Sequence, residues 1–187
     1  METKEKSTKK SGFFLHSIKG RISILLLTCI IAVVAILLLL ILPSVRNNMK
    51  RLTQNYLYDI TVSAGDRVSL AASESDMETT LGIESLGDLI GNVGIKGIAS
   101  SYAYAVGPDG TMLYHPTESK IGQLVENQVV SGIVSEIQSG KTNIEPQVVT
   151  YKFKGVTKYA AYYVNAGGDF ILVISADEDE IMRPITR

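Results

Sequence analysis

Tyrosines are concentrated in two segments of this 187-residue chain that are typical of strands. Tyr102 and Tyr104 alternate with alanines in the first segment, and Lys158 and Tyr162 share one face of the second. Because successive side chains of a strand point to opposite sides, each set would lie on one face of a sheet. Small alanines beside tyrosines would leave room there, and phenol hydroxyls can hydrogen-bond a small polar ligand. Plain packing is the alternative, since tyrosine is common in strands.

Tyr114 and His115 end another apolar segment, directly before Pro116. The imidazole could donate a hydrogen bond to a ligand carboxylate, or it could bond a loop carbonyl and fix the turn. A metal site is not expected, because the other histidine, His16, precedes a long apolar segment. Lys158 or Arg67 could supply a cation for an acidic ligand, although both residue types are mostly solvated. These residue types indicate a site for a small polar molecule, without a cofactor.

Catalytic motifs are not found in the sequence. It contains no nucleophile elbow, no Walker loop, no cluster of metal ligands and no paired carboxylates with a base. The acidic run over residues 177–180 is explained by the start of a solvated helix. A net charge of −1 without a basic stripe outside the N-terminal tail argues against a nucleic-acid partner. The sequence therefore predicts a binding protein and not an enzyme.

Turn residues and apolar periodicity predict an α+β fold after residue 43. Turns at 107–110 and 154–155 join alternating segments into two hairpins. Strands are predicted over residues 101–106, 111–115, 147–153, 156–165 and 169–175. Helices are predicted over residues 44–75, 83–90, 128–138 (capped by Asn127) and 177–187. This order predicts a five-stranded antiparallel sheet with helices on one side.

Residues 22–42 form an apolar segment without charge, glycine or proline, in which 16 of 21 residues are Ile, Leu or Val. As a helix it would be roughly 31 Å long, close to the hydrocarbon thickness of a bilayer. Basic residues are more numerous before it than after it, which places residues 1–21 in the cytoplasm. A cleavable signal peptide is the main alternative, but the segment exceeds the length of an h-region and no small-x-small site follows. We expect an uncleaved transmembrane helix.

Residues 43–187 then form one extracytoplasmic domain. The single cysteine, Cys29, lies in the apolar segment, so this domain has no disulfide, which fits a bacterial envelope. The helix over 44–75 could be capped by Ser44 or could continue directly from the membrane span. It would pack on its own domain and could also pair with a second copy in a homodimer.

Three segments together resemble the Cache domain, the PAS-like extracytoplasmic sensor of bacterial methyl-accepting chemotaxis receptors. They are YAVGPDGTMLYHP over residues 104–116 with Ile121-Gly122 shortly after, YKFKGVTKYAAYYV over 151–164, and ILVISADEDEI over 171–181. The resemblance implies a single Cache domain with a long juxtamembrane helix and a sheet core over about 100–176. It also implies a homodimer, a small-ligand pocket on one sheet face, and a second membrane span after an exit helix over 177–187.

Asn165 stands near the turn where amino-acid-binding members of this superfamily tend to carry an aspartate that pairs with the ligand amine. The resemblance therefore implies a small carboxylate or another polar metabolite as ligand. It implies a sensor module in the bacterial cell membrane, with its N-terminus in the cytoplasm, that couples ligand binding to transmembrane signalling in chemotaxis. A sensor region of a histidine kinase or diguanylate cyclase and a stand-alone membrane-anchored binding protein are the alternatives. We expect an N-terminal piece of a longer receptor, with a truncated reading frame as the alternative.

Overall fold

The computed structural model describes residues 18–141 and 143–183. The chain divides into two compact units, Met1–Asn47 and Asn48–Arg187. Most of the predicted basic tail, including His16, lies outside the described residues, as do positions 184–187 of the predicted exit helix.

The first unit contains the start of a long helix, α1, which spans Ile18–Glu74. The helix continues through Pro43, so of the two arrangements left open for residue 44, the continuous one is observed. The apolar side chains of residues 22–42 are exposed in the isolated chain. Within the described part of the chain, α1 is the one helix long and apolar enough to cross a membrane.

The second unit is built on a five-stranded antiparallel sheet, which confirms the predicted α+β fold. Its strands are β1 (Tyr102–Val106), β2 (Met112–Tyr114), β3 (Gln147–Phe153), β4 (Val156–Val164) and β5 (Ile171–Asp177). Their order in the sheet is β2-β1-β5-β4-β3. The central position of β5 explains why six of its seven residues are buried.

Strands β3 and β4 form a hairpin with a two-residue turn. Lys154 and Gly155 have φ values of 49° and 86°, the left-handed region that two-residue hairpin turns require. The turn pairs Phe153 with Val156 and therefore places Tyr151 opposite Lys158. The register of this hairpin thus follows from local sequence.

Among the described residues, four shorter helices accompany α1 and the sheet. They are α2 (Met77–Thr80), α3 (Ile83–Ile90), α4 (Gln128–Gln138) and α5 (Glu178–Met182), with a 3₁₀ turn over Glu118–Lys120. Asn127 caps α4 as predicted, since its Oδ1 accepts the Val129 N–H at 2.9 Å.

The first face of the sheet packs against α1, α3 and α5. This face carries Ala103, Ala105, Tyr159, Ala161, Leu172, Ile174 and Ala176. The helices contribute Leu57, Ala64, Val68, Leu86, Ile90, Ile181 and Met182. Gly65 of α1 meets the Tyr163 ring so closely that an added Cβ would overlap it, and the Tyr163 hydroxyl lies 3.2 Å from Ser69 Oγ.

The second face of the sheet is covered by α4 at one end. This face carries Tyr102, Tyr104, Val106, Lys158, Ala160, Tyr162, Val164, Ile171 and Val173. Buried residues of α4, Val130, Ile133 and Val134, pack on it. The expectation that helices lie on one side of the sheet is therefore wrong. Because β5 is apolar at almost every position, both of its faces need cover.

Candidate functional site

A cavity of about 520 Å³ lies on the second face of the sheet, at the end that α4 leaves uncovered. Its size is within the range of small-molecule binding sites. Fourteen residues line it: Tyr102, Tyr104, Met112, His115, Ser119, Lys120, Gln123, Leu124, Val125, Glu126, Asn127, Tyr151, Phe153 and Lys158.

Three strands supply most of the floor of this cavity through the alternation of their side chains, and β2 adds Met112. Tyr102 and Tyr104 come from β1, Tyr151 and Phe153 from β3, and Lys158 from β4. The β1 alanines lie on the first face instead and are buried against the helices. The sequence analysis expected these alanines to leave room beside the tyrosines. Instead, they allow the helices to approach the other face of the sheet.

The segment between β2 and α4, residues 118–127, forms the outer wall. It is held along the edge of β2: Gly122 N–H donates to the Met112 carbonyl at 2.8 Å, and Met112 N–H donates to the Gln123 carbonyl at 2.9 Å. The Val125 N–H donates to the Gly110 carbonyl at 2.9 Å. Gly122 has a φ of 78°, which only glycine adopts readily. The wall is therefore a hydrogen-bonded part of the domain.

His115 is buried and fixes the start of this wall. Its Nδ1 accepts the Thr117 N–H at 2.8 Å, and its ring centre lies 5.1 Å from that of Tyr102. Burial and the nearby charge of Lys120 lower the pKa of His115 to about 4, so the ring is neutral at physiological pH. With Nδ1 as acceptor, the neutral ring carries its proton on Nε2. The His115 ring therefore fixes the loop through Nδ1 and still has the Nε2 N–H available to donate to a ligand.

Tyr104 and Tyr151 keep their protons under all physiological conditions. Burial raises the pKa of Tyr104 well above its usual value and that of Tyr151 to about 12. The Tyr104 hydroxyl accepts a 3.4 Å hydrogen bond from Asn127 Nδ2. The Tyr104 hydroxyl in turn donates to the Tyr151 hydroxyl, so the Tyr151 proton is the one left to donate to a bound molecule.

Lys158 reaches the cavity from the middle of the sheet. It pairs with Tyr151 on one side and with Asp177 on the other, and its ammonium forms an ion pair with the Asp177 carboxylate. The lysine nitrogen also lies 5.8 Å from the centre of the Tyr102 ring. The lysine side chain is 12% exposed and that of Asp177 27%.

Hydrogen-bond donors and positive charge predominate in the cavity. Lys120 and Lys158 are cationic, and the tyrosine hydroxyls, the His115 ring and the Asn127 amide can donate. Glu126 is the one carboxylate among the described lining residues. It is exposed and lies 2.9 Å from Lys154, which lowers its pKa. The arrangement therefore suits a small molecule with acceptor oxygens.

Four of the seven residues predicted from sequence line this cavity: Tyr102, Tyr104, His115 and Lys158. The other three, Tyr114, Tyr162 and Asn165, lie elsewhere.

Tyr114 packs against Gly87 of α3 and against Gly91, the residue that follows this helix. Tyr162 lies on the second face but in the part that packs with α4, where burial and Glu136 raise its pKa.

Asn165 closes the β4–β5 turn. Its Oδ1 accepts the Asp169 N–H at 2.7 Å and the Phe170 N–H at 3.2 Å, while its amide donates to Asp169 Oδ2. These hydrogen bonds all lie within the turn.

Sequence reasoning missed Tyr151, Phe153 and Asn127, and it left residues 118–126 as loop. Tyr151 could have been found, because a two-residue turn at 154–155 places residue 151 opposite residue 158. Asn127 was recognised as a cap, but its second contact, with Tyr104, is 23 positions away and has no local signal.

Comparison with solved structures identifies the fold of the second unit. A methyl-accepting chemotaxis protein from Vibrio parahaemolyticus matches 75% of this chain and 98% of its own length, with 12% identity and a TM-score of 0.53. A Cache chemosensory domain described for carboxylic acid recognition matches over 70% of this chain and 97% of its own, with 15% identity and a TM-score of 0.52. The second unit has the Cache fold. The resemblance seen in the sequence is thereby confirmed for the fold.

A further match, the ligand-binding domain of Mlp24 with asparagine, has 12% identity and a TM-score of 0.39 over 56% of this chain. The chain spans 38% of the length of that domain. No family model and no curated protein matches the sequence.

Proposed function

We propose that this chain is the extracytoplasmic small-ligand sensor region of a membrane chemoreceptor. The supporting observation is the donor-rich cavity on the second face of a Cache sheet, with Tyr102, Tyr104, Tyr151, His115 and Lys158 converging on it. The cavity binds a ligand and carries out no reaction on it.

The proposed ligand is a small carboxylate or a related polar metabolite. Carboxylate oxygens accept hydrogen bonds only, and the phenols, the His115 ring and two ammonium groups donate them. The volume of about 520 Å³ suits a compact metabolite. The structural neighbour described for carboxylic acid recognition has the same fold, and this supports the ligand class.

The proposed setting is a bacterial cell membrane. Helix α1 crosses it once with the N-terminus in the cytoplasm, because the basic residues before the apolar segment outnumber those after it. The sensor works as a homodimer in which α1 pairs with its copy. Leu52, Tyr56 and Leu70 are exposed large apolar residues on that helix and support the pairing.

Ligand binding is tested with the full chain in lipid nanodiscs. Acetate, propionate, pyruvate, lactate and succinate are screened by thermal shift, with a panel of amino acids beside them. A ligand at 100 times its Kd should stabilise the domain by about 2.7 kcal/mol, a readily measured rise in Tm. A folded protein whose Tm is unchanged by every compound would contradict the proposal.

The position of the site is tested with two phenylalanine variants on the same sheet face. Tyr151→Phe removes a hydroxyl from the cavity, whereas Tyr162→Phe removes one beside α4. Loss of one hydrogen bond to a charged ligand should weaken binding about tenfold in Tyr151→Phe. Titration calorimetry should show unchanged affinity in Tyr162→Phe. Equal affinities in both variants would place the ligand elsewhere.

A further inference from the structure

Lys158 connects the cavity with the last residue of the central strand. Its ammonium lines the cavity and at the same time binds the carboxylate of Asp177, the last residue of β5 and the N-cap residue of α5. The Asp177 side chain makes no capping hydrogen bond to α5. Aspartate at this position ordinarily caps the helix with its side chain, but the Asp177 side chain binds Lys158 instead.

The start of α5 is held to the domain by three side chains in a row of four acidic residues. Glu180 accepts the Ala99 and Ser100 N–H groups at 2.9 and 2.8 Å. Hydrogen bonds from the Ser100 hydroxyl, the Ser100 N–H and the Ala99 N–H lower the pKa of Glu180 to about 2. Glu178 accepts the hydroxyl proton of Tyr159. The third side chain is Asp177, whose own N–H donates to Ser100 Oγ at 3.0 Å.

Of these three anchors, the Asp177 carboxylate is the one bound to a residue that lines the cavity. A ligand in the cavity can therefore affect α5 most directly through Lys158.

We propose that an anionic ligand competes with Asp177 for the Lys158 ammonium. Asp177 then lowers the affinity of the cavity for anions, and ligand binding weakens the attachment of α5 to the domain. This inference rests on the proposed function, because it assumes a carboxylate ligand in the cavity. The Lys158 ammonium is a single compact charge on a flexible chain, so it can turn from one carboxylate to another.

The consequence for α5 is electrostatic. When Lys158 binds the ligand, Asp177 loses its counter-charge and remains beside Glu178, Asp179 and Glu180. Like charges repel one another, and in a partly buried position they are less screened than on the surface. The junction of β5 and α5 is therefore held less firmly in the ligand-bound form.

The competition is tested by propionate titration of the full chain in nanodiscs. Asp177→Asn removes the competing charge. It should bind propionate about three- to fivefold more tightly than the native protein, which is the affinity that one partly exposed ion pair can offset. Asp179→Asn makes the same charge change at an exposed position of α5 and should leave the affinity unchanged. Unchanged or weaker binding in Asp177→Asn would overturn the inference.

The connection to α5 is tested without any ligand, by hydrogen exchange. Lys158→Met should raise the exchange rates of the Ala99, Ser100 and 177–182 amides several-fold, and Asp177→Asn should do the same while preserving the shape of the side chain. Lys152→Met, an exposed lysine of β3, is the matched control and should leave these rates unchanged. Rates equal to those of the native protein in both test variants would overturn the inference.

These outcomes separate the inference from the proposed function. If propionate and the other carboxylates bind the native protein but the exchange rates of α5 do not respond to Lys158→Met, only the inference is wrong. If no carboxylate binds a folded native protein, the proposed ligand class is wrong and so is the competition for Lys158.

Discussion

The two faces of the sheet are made by the same strands but are used differently. On the first face, buried aliphatic side chains meet α1, α3 and α5 in a continuous core, and Gly65 brings α1 against the Tyr163 ring. On the second face, α4 covers one end and the other end opens into a cavity lined by tyrosines, His115 and Lys158. In β1, for example, the alanines point to the helices and the tyrosines to the cavity.

Because side chains alternate between the two faces of each strand, residues that stabilise the domain and residues that line the cavity lie on opposite faces. Small residues on the first face permit close helix packing, which requires filled volume. Large polar residues on the second face hold an open volume and can change without removing the main core. We therefore expect substitutions on the first face to affect mainly the free energy of unfolding, and those around the cavity mainly ligand affinity.

The largest expected difference between the faces is between Leu172→Ala and Tyr102→Ala. Leu172 is fully buried on the first face, so its truncation should lower the free energy of unfolding by about 3 kcal/mol. Tyr102 is half-buried at the cavity, and its truncation should cost about 1 kcal/mol while weakening ligand binding. Denaturant titration and calorimetry measure the two effects. Equal loss of stability would remove the distinction between the faces.

Gly65→Ala should be the next largest effect. An alanine Cβ there would overlap the Tyr163 ring, so the helix or the ring must move, at a cost of about 2 kcal/mol in the free energy of unfolding. Gly132→Ala in α4 is the matched control, because an added Cβ meets nothing within 4 Å. In that helix alanine should stabilise by about 0.5 to 1 kcal/mol. Denaturant titration measures both changes. If Gly65→Ala raised the free energy of unfolding as Gly132→Ala does, α1 would not pack closely on the first face.

Asn165→Ala should destabilise the domain without changing ligand affinity. It leaves the Asp169 and Phe170 N–H groups without their acceptor, at a cost of about 1.5 kcal/mol. Because Asn165 does not line the cavity, propionate should bind as it does to the native protein. A large loss of affinity with normal stability would restore Asn165 as a ligand residue.

The smallest expected effect is the pH dependence that His115 adds at the cavity. An unfolded chain protonates this histidine near pH 6.5, whereas the folded domain does so only near pH 4. Below pH 6.5 the unfolded state therefore binds more protons. The full shift corresponds to about 2 kcal/mol of stability lost between pH 7 and pH 5, and solvent screening at the open cavity reduces the expected loss to about 1 kcal/mol.

Glu180 has a pKa of about 2, so it and His115 affect the stability of the domain in different pH ranges. Its stabilising effect is present above about pH 4.5 and is lost only as the pH falls toward 2. Denaturant titrations at pH 7 and 5 measure the histidine effect. His115→Asn keeps an acceptor for the Thr117 N–H, so it serves as the control and should abolish this slope. A slope that persists in His115→Asn would assign it to another group.

Much of the second unit could be predicted because its signals are local. The bounds of α3, α4 and β3 follow from periodicity, turn residues and the Asn127 cap, and the observed bounds match. Tyr102, Tyr104, His115 and Lys158 were assigned to a site from residue type and alternation. Tyr114 and Tyr162 satisfied the same criteria but pack against α3 and α4, since alternation gives a face of a strand and not its neighbours.

The sequence by itself determined the apolar segment of α1, the alternating strands, their turns and the polarity of each strand face. These depend on contacts between residues close along the chain. Only the tertiary structure decided which end of the second face stays open. That depends on where α4 docks and on how residues 118–127 pair with the edge of β2. The tertiary structure also placed Lys158 between the cavity and Asp177, because a cross-strand pair separated by 19 positions exists only after the central strands have paired.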